Sequence, residues 1–519
     1  MNRIYMSYDP EQRLLLPPDL REWLPEGHLA LFVSDVVDEL DLSKIMEWYE
    51  RGDGRGRPPY HPLMMVKLLV YGYCIGRVSS RKIEKATYED VGFRVLACNQ
   101  HPDHASIAEF RKTHLEELAK LFVQVLRLCE QAGLVKLGHV AVDGSKLRAN
   151  ASKHKAMSYE RMCAKEEQLA AEVARLLQAA AATDEAEDQE YGKGRRGDEL
   201  PPELARRESR LRKIREAKAA LEAEAKEKAK AAAATAAAKL EARKQREAET
   251  GKKTPGRPPQ VVKVEEAKPE AKAQRNFTDP ESRIMKDSAT GSFEQSYNAQ
   301  IAVDSETQII VAASLTQAVN DKQQLVPMLT AVKDNLGQLP EKATADAGYF
   351  STSAVTNEEI SSVDLYVTPD SGKKTEAETE LLSAATAADQ PVIDEMREKL
   401  KTEAGRAVYK QRKLIVEPVF GQVKEARGFR RFSFRGLQKN QAEWALICLT
   451  HNLLKLFRQK TLPASEAKIN NTGETALSFA QKVAAFSQVL AAWIQDIVKI
   501  DLELILTDYS RPMLYLSVP

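Results

Sequence analysis

Three carboxylic acids in the sequence are spaced in a way that could support metal chemistry. Asp143 ends a short apolar run in GHVAVDGSKLRAN (138–150), Asp346 ends another in KATADAGYF, and Glu417 lies within the helical segment YKQRKLIVEPVFGQVK (409–424). Acids that meet at buried strand ends repel one another unless they share a cation, and Mg²⁺ prefers carboxylate oxygens. If Asp143, Asp346 and Glu417 converge on one point, two Mg²⁺ ions shared by them could activate a water or a 3′-hydroxyl against a phosphodiester. We therefore predict that Asp143 is placed to hold metal.

Each of these acids also has an ordinary structural explanation. A single aspartate at a strand end usually caps a turn or a helix, and a lone glutamate on a helix is usually solvated or paired with a base. Asp304 also ends an apolar strand, and spacing alone does not separate it from Asp143. Its following Ser-Glu-Thr indicates a hairpin turn, so we rank it lower. The metal prediction depends on the three acids as a set.

Pro418 directly follows Glu417. Proline favours the first turn of a helix and disfavours helical geometry in the residue before it. We therefore expect Glu417 at a helix N-terminus, where the helix dipole favours its ionised form. Lys424 would lie about two turns further on, where it could contact a phosphate beside the scissile bond. A solvated lysine is the alternative.

The charge of the chain is uneven. The 519 residues carry a net charge of +1, which does not by itself indicate nucleic acid, but residues 405–460 hold 13 Lys or Arg against 3 Glu and no Asp. A basic block of this size in a folded region predicts a phosphate-binding face. Within it, GFRRFSFRG (428–436) supplies Arg430, Arg431 and Arg435 as candidate phosphate contacts, and we expect its phenylalanines to be core residues rather than base-stacking ones.

Several classes of protein are disfavoured by composition. No run of about 18 apolar residues is present, so we expect no membrane span, and the N-terminal MNRIYMSYDP has no apolar signal core, which predicts a cytoplasmic location. The five cysteines are scattered and contain no CxxC pair, which indicates reduced thiols and no standard zinc motif.

The length predicts two or three domains. Residues 1–135 read as helical, with a helix at 61–78 and another that a Ser106–Glu109 capping box begins and Gly133 closes. The Ala/Glu/Lys/Arg-rich stretch 156–275 predicts a helical hairpin or coiled coil. The remaining elements expected are strands at 138–143, 298–304, 308–315, 342–350 and 364–369, helices at 321–336, 392–427 and 442–458, and an unassigned tail at 461–519.

Two N-terminal features could contact DNA. A helix-turn-helix within 79–114 would present Arg111 and Lys112 to phosphates or bases, although these residues could equally be solvated. Arg55-Gly-Arg57-Pro58 matches the core of minor-groove hooks, but it can simply be a loop before the 61–78 helix.

Several of these motifs together resemble the DDE transposases of bacterial insertion sequences. The matching stretches are VDGSKLRANAS (142–152), FEQSYNAQIAVD (293–304), TADAGYF (344–350) and the segment 409–436. The last is similar to a Tyr-Arg-Glu-Lys signature, with Tyr409, Arg412, Glu417 and Lys424 in the four positions. Arg412 precedes Glu417 by five residues where the family has four, so Lys413 is the alternative for the Arg position. HPLMMVKLLVYGYCIG and HASIAEFRKTH resemble the family's N-terminal helical domain.

The resemblance implies an α/β protein with a catalytic domain of the RNase H-like fold and a mixed sheet. It implies that Asp143, Asp346 and Glu417 bind two Mg²⁺ ions, for which Mn²⁺ can substitute, and that Tyr409, Arg412 and Lys424 contact DNA. The expected domains are a helical DNA-binding domain (1–135), a catalytic domain (136–155 and 276–460), a charged helical insertion (156–275) and a C-terminal tail (461–519).

The implied reaction is hydrolysis at the ends of the element, followed by attack of the freed 3′-hydroxyl on target DNA. The partner is double-stranded DNA, and a homodimer or larger assembly is implied because two ends must join one target. The protein is expected in the bacterial cytoplasm, at the nucleoid when bound. Three rivals remain: a metal-dependent nuclease without strand transfer, a non-catalytic DNA-binding descendant of a transposase, and a coiled-coil scaffold.

Overall fold

A mixed sheet with helices packed against it forms the centre of the chain. The computed structural model describes residues 19–50, 58–191, 202–250, 267–287, 291–369 and 389–461. The Arg55–Arg57 stretch and the tail after residue 461 lie outside these residues. The described strands are β1 (His139–Arg148), β2 (Ala156–Ser158), β3 (Gln274–Asn276), β4 (Arg283–Lys286), β5 (Phe293–Asp304), β6 (Ile310–Thr316), β7 (Lys342–Ala345) and β8 (Asp364–Val367).

The helices fall into three groups along the chain. Those before the sheet are α1 (Leu29–Asp38), α2 (Ser43–Glu50), α3 (Pro62–Cys74), α4 (Ser80–Glu89), α5 (Val91–Leu96), α6 (His104–Thr113) and α7 (Leu115–Gln131). Between β2 and β3 come α8 (Tyr159–Tyr191) and α9 (Pro202–Thr250). Those after β6 are α10 (Leu325–Leu336), α11 (Thr352–Val355), α12 (Gln390–Lys401), α13 (Glu403–Gly421) and α14 (Leu437–Thr461). No described helix is both long and apolar enough to cross a bilayer.

Strand β1 is the central strand of the sheet. It pairs antiparallel with β5 on one side and parallel with β7 on the other, and β7 pairs parallel with β8. On its far side β5 pairs antiparallel with β4 near its start and with β6 along the rest of its length. The main strand order is therefore β6-β5-β1-β7-β8, with helices from both ends of the chain packed on it.

The predicted 138–143 strand is correct in place but too short. Val140, Ala141 and Val142 are fully buried, as expected for the apolar run. The strand then continues through Gly144 to Arg148, because the long partner β5 pairs with it as far as Arg148–Ser296. Asp143 is therefore a mid-strand residue, although it follows the last parallel pair with β7, Ala141–Thr344.

The hairpin predicted from 298–304 and 308–315 is confirmed as β5 and β6. The N-terminal region is helical as expected, and Gly133 adopts a positive φ of 73° just after α7. The prediction that a Ser106–Glu109 capping box begins the helix is wrong. Asp103 is the N-cap instead, because its Oδ1 accepts hydrogen bonds from the backbone N–H groups of Ala105 and Ser106, both at 2.9 Å. The single helix expected here is divided at His114 into α6 and α7.

A continuous core joins the N-terminal helices to the sheet. Helix α14 packs against α7, α3 and β6, so buried residues from both sides of the predicted boundary at 135 form one apolar cluster. Trp444 lies at its centre, fully buried, and its indole N–H donates to the backbone carbonyl of Gln300 at 3.1 Å. Phe429 and Phe432 are also buried, which confirms their prediction as core residues.

The charged segment after β1 forms a hairpin of two long helices. Helices α8 and α9 bury a small second apolar cluster, which contains Met162 and Leu169 from one helix and Ile214 and Leu221 from the other. Glu166 pairs with Lys218 at 2.9 Å. The helical-hairpin prediction is thus confirmed for the described part of 156–275.

Helix α13 contradicts the predicted position of Glu417. The helix begins after Thr402, whose hydroxyl caps Gly405, and it continues through Pro418 to Gly421. Pro418 has no N–H to donate to the carbonyl of Leu414, one turn earlier. The side-chain amide of Gln308 donates to that carbonyl at 3.0 Å instead. This replacement bond lets the helix pass through the proline, so Glu417 lies in the helix interior.

The Gln308 side chain also accepts a hydrogen bond from the Lys455 ammonium at 2.7 Å. We expect Gln308→Ala to destabilise the protein by about 2 kcal/mol, the net value of these two hydrogen bonds. In a Pro418→Ala background the helix can supply its own donor to Leu414, so the same substitution should cost less. Chemical denaturation of wild type, both single variants and the double variant would measure this coupling. Equal costs of Gln308→Ala in the two backgrounds would show that the amide does not compensate for the proline.

Candidate active site

Asp143 and Asp346 lie at the same level on neighbouring parallel strands. The register of β1 and β7 pairs Val140 with Ala343 and Ala141 with Thr344. Continued by two residues in both segments, this register places Asp143 beside Asp346. Adjacent strands are about 4.8 Å apart. Asp346 follows the last residue of β7, and its Oδ1 also accepts the backbone N–H of Gly348 at 2.9 Å. The fold therefore brings together the two aspartates that the sequence predicted.

These two carboxyl groups disfavour each other's charge. Burial raises the pKa of the Asp143 carboxyl from its ordinary 3.8 to about 6, and the negative charge of Asp346 adds to the rise. Burial also raises the pKa of Asp346. The guanidinium of Arg412 lowers both pKa values, but it does not cancel the effect of burial. Such a pair favours a cation between the carboxylates.

Arg412 reaches the aspartates from helix α13, which packs over β1. Its Nη1 lies 3.4 Å from Oδ2 of Asp143. Its Nε is buried and has no hydrogen-bond partner, and the guanidinium also lies 5.9 Å from the centre of the Tyr409 ring. Lys413, the alternative for this position, is exposed. The structure thus places Arg412 beside Asp143 and turns Lys413 toward solvent.

Glu417 is not joined to the aspartates. It is exposed, and among the described residues it makes no hydrogen bond or ion pair with either acid. The described part of the chain contains no group of three or more His, Cys, Asp or Glu close enough to hold a metal ion. Glu417 follows Arg412 by five residues, which on an α-helix corresponds to a rotation of roughly 140° about the helix axis. Since Arg412 points at Asp143, Glu417 leaves the helix in a different direction.

Lys424 contacts β1 close to the aspartates. Residues Gln422–Ala426 form a wider π-helical turn after α13, and from it Nζ of Lys424 donates to the Ser145 hydroxyl and, at 3.1 Å, to the Lys146 carbonyl. Burial lowers the pKa of its ammonium. The free solvated lysine considered from the sequence is therefore wrong, because both contacts hold the side chain against the strand.

The other predicted DNA contacts divide into one buried and several exposed residues. Arg111 is buried, donates to the Val78 carbonyl at 2.7 Å and lies 5.1 Å from the centre of the Phe434 ring. These contacts fix it inside the protein, so its prediction as a surface phosphate contact is wrong. The exposed residues are Lys112, Arg430, Arg431 and Arg435. Lys112 pairs with Glu109, and Arg430 pairs with Glu425.

A third aspartate near the site was missed by the sequence reasoning. The side-chain amides of Asn298 and Gln300 donate to Oδ1 of Asp321 at 2.6 and 2.7 Å, and Lys146 lies 3.8 Å from the same oxygen. The charge of Asp321 contributes to the raised pKa of Asp143. A signal was present, because Asn298 and Gln300 are polar residues at alternate positions of an apolar strand. Fully buried amides of this kind need polar partners.

Asp304, the rival of Asp143 in the sequence, has a structural role. Its side chain is fully buried and accepts backbone N–H bonds from Lys136, Leu137 and Glu306 at 2.9–3.0 Å. These bonds fix the chain before β1 to the turn after β5. The carboxylate is thereby occupied by three donors and lies away from the Asp143–Asp346 pair.

Comparison with known families agrees with these features. Residues 18–113 match the Transposase domain (DUF772), and residues 373–457 match the Transposase DDE domain. The second match contains Tyr409, Arg412, Glu417 and Lys424. The two matches support a DDE-type transposase of the insertion-sequence class, and transposase domains imply binding to DNA. No curated protein and no solved structure gave a significant match.

Proposed function

We propose that the chain is a DNA transposase that cuts DNA strands at the ends of an insertion sequence and transfers them into target DNA. The observation that carries the proposal is the pair Asp143 and Asp346, level with each other on adjacent parallel strands beside Arg412. The two family matches supply the class of reaction. The strand order β6-β5-β1-β7-β8 supports an RNase H-like catalytic fold.

The proposed division of the chain keeps the boundaries predicted from the sequence. Residues 1–135 would form the helical DNA-binding domain, and residues 136–155 with 276–460 the catalytic domain. The hairpin of α8 and α9 lies between β1 and β5 of the sheet in the sequence and is flanked by β2 and β3, which pair with each other. This order supports an insertion at 156–275.

The chemistry of the donors fits a hard divalent cation at Asp143 and Asp346. Two carboxylates that raise each other's cost of ionisation are stabilised by Mg²⁺ or Mn²⁺, which prefer oxygen ligands. Bound at this place, such ions supply activation of a water or 3′-hydroxyl and stabilisation of the leaving oxygen. Asp143 and Asp346 would hold the ions, and Arg412 offsets part of the charge of the two carboxylates while no ion is bound. Glu417 would be the third ligand, because it occupies the Glu position of the Tyr-Arg-Glu-Lys signature.

The exposed basic residues Lys112, Arg430, Arg431 and Arg435 would contact the phosphates of double-stranded DNA, which is a sequence-independent interaction. Since two element ends must meet one target, the active form would contain at least two protomers. The site of action would be the bacterial cytoplasm, at the nucleoid.

The test uses DNA from the flanks of the gene, including any inverted repeats, with purified protein and Mg²⁺ or Mn²⁺. We expect metal-dependent cuts at the repeat boundary and joined products in the same reaction. Glu417→Gln is expected to reduce both by at least about a thousandfold, since loss of a metal ligand removes several kcal/mol of transition-state stabilisation. Strand ends are mapped on sequencing gels, and Glu403→Gln, at an exposed position in the first turn of the same helix, is the charge-matched control.

Each outcome of that test separates one function from another. Cutting without joining would identify a nuclease. DNA binding by folded protein without cutting would identify a DNA-binding descendant of a transposase, and failure to bind DNA would favour a scaffold. Normal cutting by Glu417→Gln would remove Glu417 from the proposed ligands and leave the two aspartates.

A further inference from the structure

A basic cleft lies on helix α13 next to the aspartate pair. Its volume is about 360 Å³. The residues that line it are Leu400, Arg406, Tyr409, Lys410, Arg412 and Lys413. Four of these six side chains are cationic and none is acidic. Arg412 belongs both to this cleft and to the contact with Asp143.

Two of the cations have no charged partner. Among the described residues, the ammonium groups of Lys410 and Lys413 make no ion pair or side-chain hydrogen bond, and both residues are exposed. Basic residues on the neighbouring α12 differ: Lys399 pairs with Asp364 and Lys401 with Glu398. Like charges one turn apart on a helix destabilise it slightly. The uncompensated charge of the cleft therefore favours an anionic ligand.

The spacing of the cations indicates which anion fits. Arg406, Lys410 and Lys413 follow the positions i, i+4 and i+7, so they share one face of α13. Seven residues of α-helix span about 10 Å. The phosphates of one DNA strand follow one another at about 3.4 Å along the helix axis. Because the strand winds about that axis, its successive phosphates lie further apart than this rise, so a strand that runs along this face would bring about two successive phosphates to the three cations.

We propose that this cleft binds the phosphodiester backbone of the DNA strand next to the bond that is cut. The inference rests on the proposed function and specifies where its substrate lies. Arg412 lines the cleft and also contacts Asp143, so a strand bound in the cleft passes close to the aspartate pair. Tyr409 forms the wall between them, half-buried, with its ring against the Arg412 guanidinium.

The test measures DNA binding rather than cleavage. Fluorescence anisotropy would follow binding of a labelled duplex to the full-length protein at several salt concentrations, without metal. The variant is Lys410→Ala with Lys413→Ala. The control is Lys333→Ala with Lys342→Ala, which removes the same charge from exposed positions on α10 and at the start of β7.

We expect the cleft variant to lower the slope of log K against log salt by about 1.8, since each lost phosphate contact contributes about 0.9. Its affinity should fall about tenfold or more near 0.1 M salt, equally for element-end and unrelated duplexes. The control should retain the wild-type slope. A Lys410→Arg with Lys413→Arg variant should also retain it, which separates loss of charge from a folding defect.

An unchanged slope in the alanine variant, while wild type binds DNA, would overturn the cleft proposal and leave the proposed function standing. An equal loss in the control pair would also overturn it, because the effect would then be one of net charge. Failure of wild type to bind any duplex would refute both the cleft and the proposed function.

Discussion

Asp143→Asn is expected to abolish metal-dependent DNA cleavage and leave DNA binding intact. The substitution keeps the shape of the side chain and removes the charge that would hold a cation beside Asp346. Loss of about 4 kcal/mol of transition-state stabilisation corresponds to a thousandfold decrease in rate. Single-turnover cleavage of a labelled element-end duplex measures the rate, and anisotropy without metal measures the binding.

The same variant should be more stable than wild type when no metal is present. The folded-state pKa of Asp143 is raised from 3.8 to about 6, so the ionised carboxylate is disfavoured in the folded protein. Wild type therefore loses stability as the pH rises from about 4 through 6, and the neutral asparagine does not. The raised pKa corresponds to an upper limit of about 3 kcal/mol at pH 8.

Thermal melting at pH 8 and at pH 4 would detect this difference. The variant should melt higher than wild type at pH 8, and the gap should close at pH 4. Asp334→Asn removes the same charge from an exposed site on α10 and should change neither melting nor cleavage. Reduced stability of Asp143→Asn at pH 8 would contradict the picture of two carboxylates that disfavour each other's charge.

Asp304→Ala should cause a large loss of stability. The substitution leaves the backbone N–H groups of Lys136, Leu137 and Glu306 without the acceptor they have in the folded protein. A buried donor without a partner costs about 1–3 kcal/mol. We expect a total of at least about 3 kcal/mol, measured by chemical denaturation.

Asp304→Asn retains one carbonyl oxygen and should cost less than the alanine substitution. At a temperature where the asparagine variant remains folded, its cleavage rate should be close to that of wild type. A large loss of cleavage by folded Asp304→Asn would show that this acid takes part in the chemistry, in place of the structural role that its three hydrogen bonds indicate.

A comparison of Asp143 with Asp304 shows how much of the candidate site could be predicted from the sequence. Both follow three apolar residues, and both lie on central strands of one sheet, so local pattern does not distinguish them. The resemblance to a family drew attention to Asp143. The two acids differ in what the rest of the fold brings to them. Strand β7 places Asp346 beside Asp143, whereas backbone N–H groups from two loops surround Asp304. Such contacts between distant segments are not visible in a single strand.

The sequence was least informative where a side chain distant in the sequence altered the expected local structure. Pro418 correctly predicted a missing backbone donor, but the amide of Gln308 supplies a substitute and the helix does not begin there. Asp321 was overlooked because its partners, Asn298 and Gln300, are on another strand. The long helices, the β5–β6 hairpin and the buried phenylalanines were predictable, since each follows from local periodicity and turn chemistry.

The helical hairpin between β1 and β5 has a consequence for protein synthesis. A ribosome adds about 5–20 residues per second, so Asp346 emerges roughly 10–40 s after Asp143. For most of that interval β1 has neither of its partner strands, because β5 is complete only at Asp304, while the two hairpin helices can form locally within microseconds. A nascent chain therefore carries no assembled aspartate pair. Competence to cut DNA would begin only after the segment that carries Arg412 and Glu417 has also been translated, which limits cleavage by truncated products.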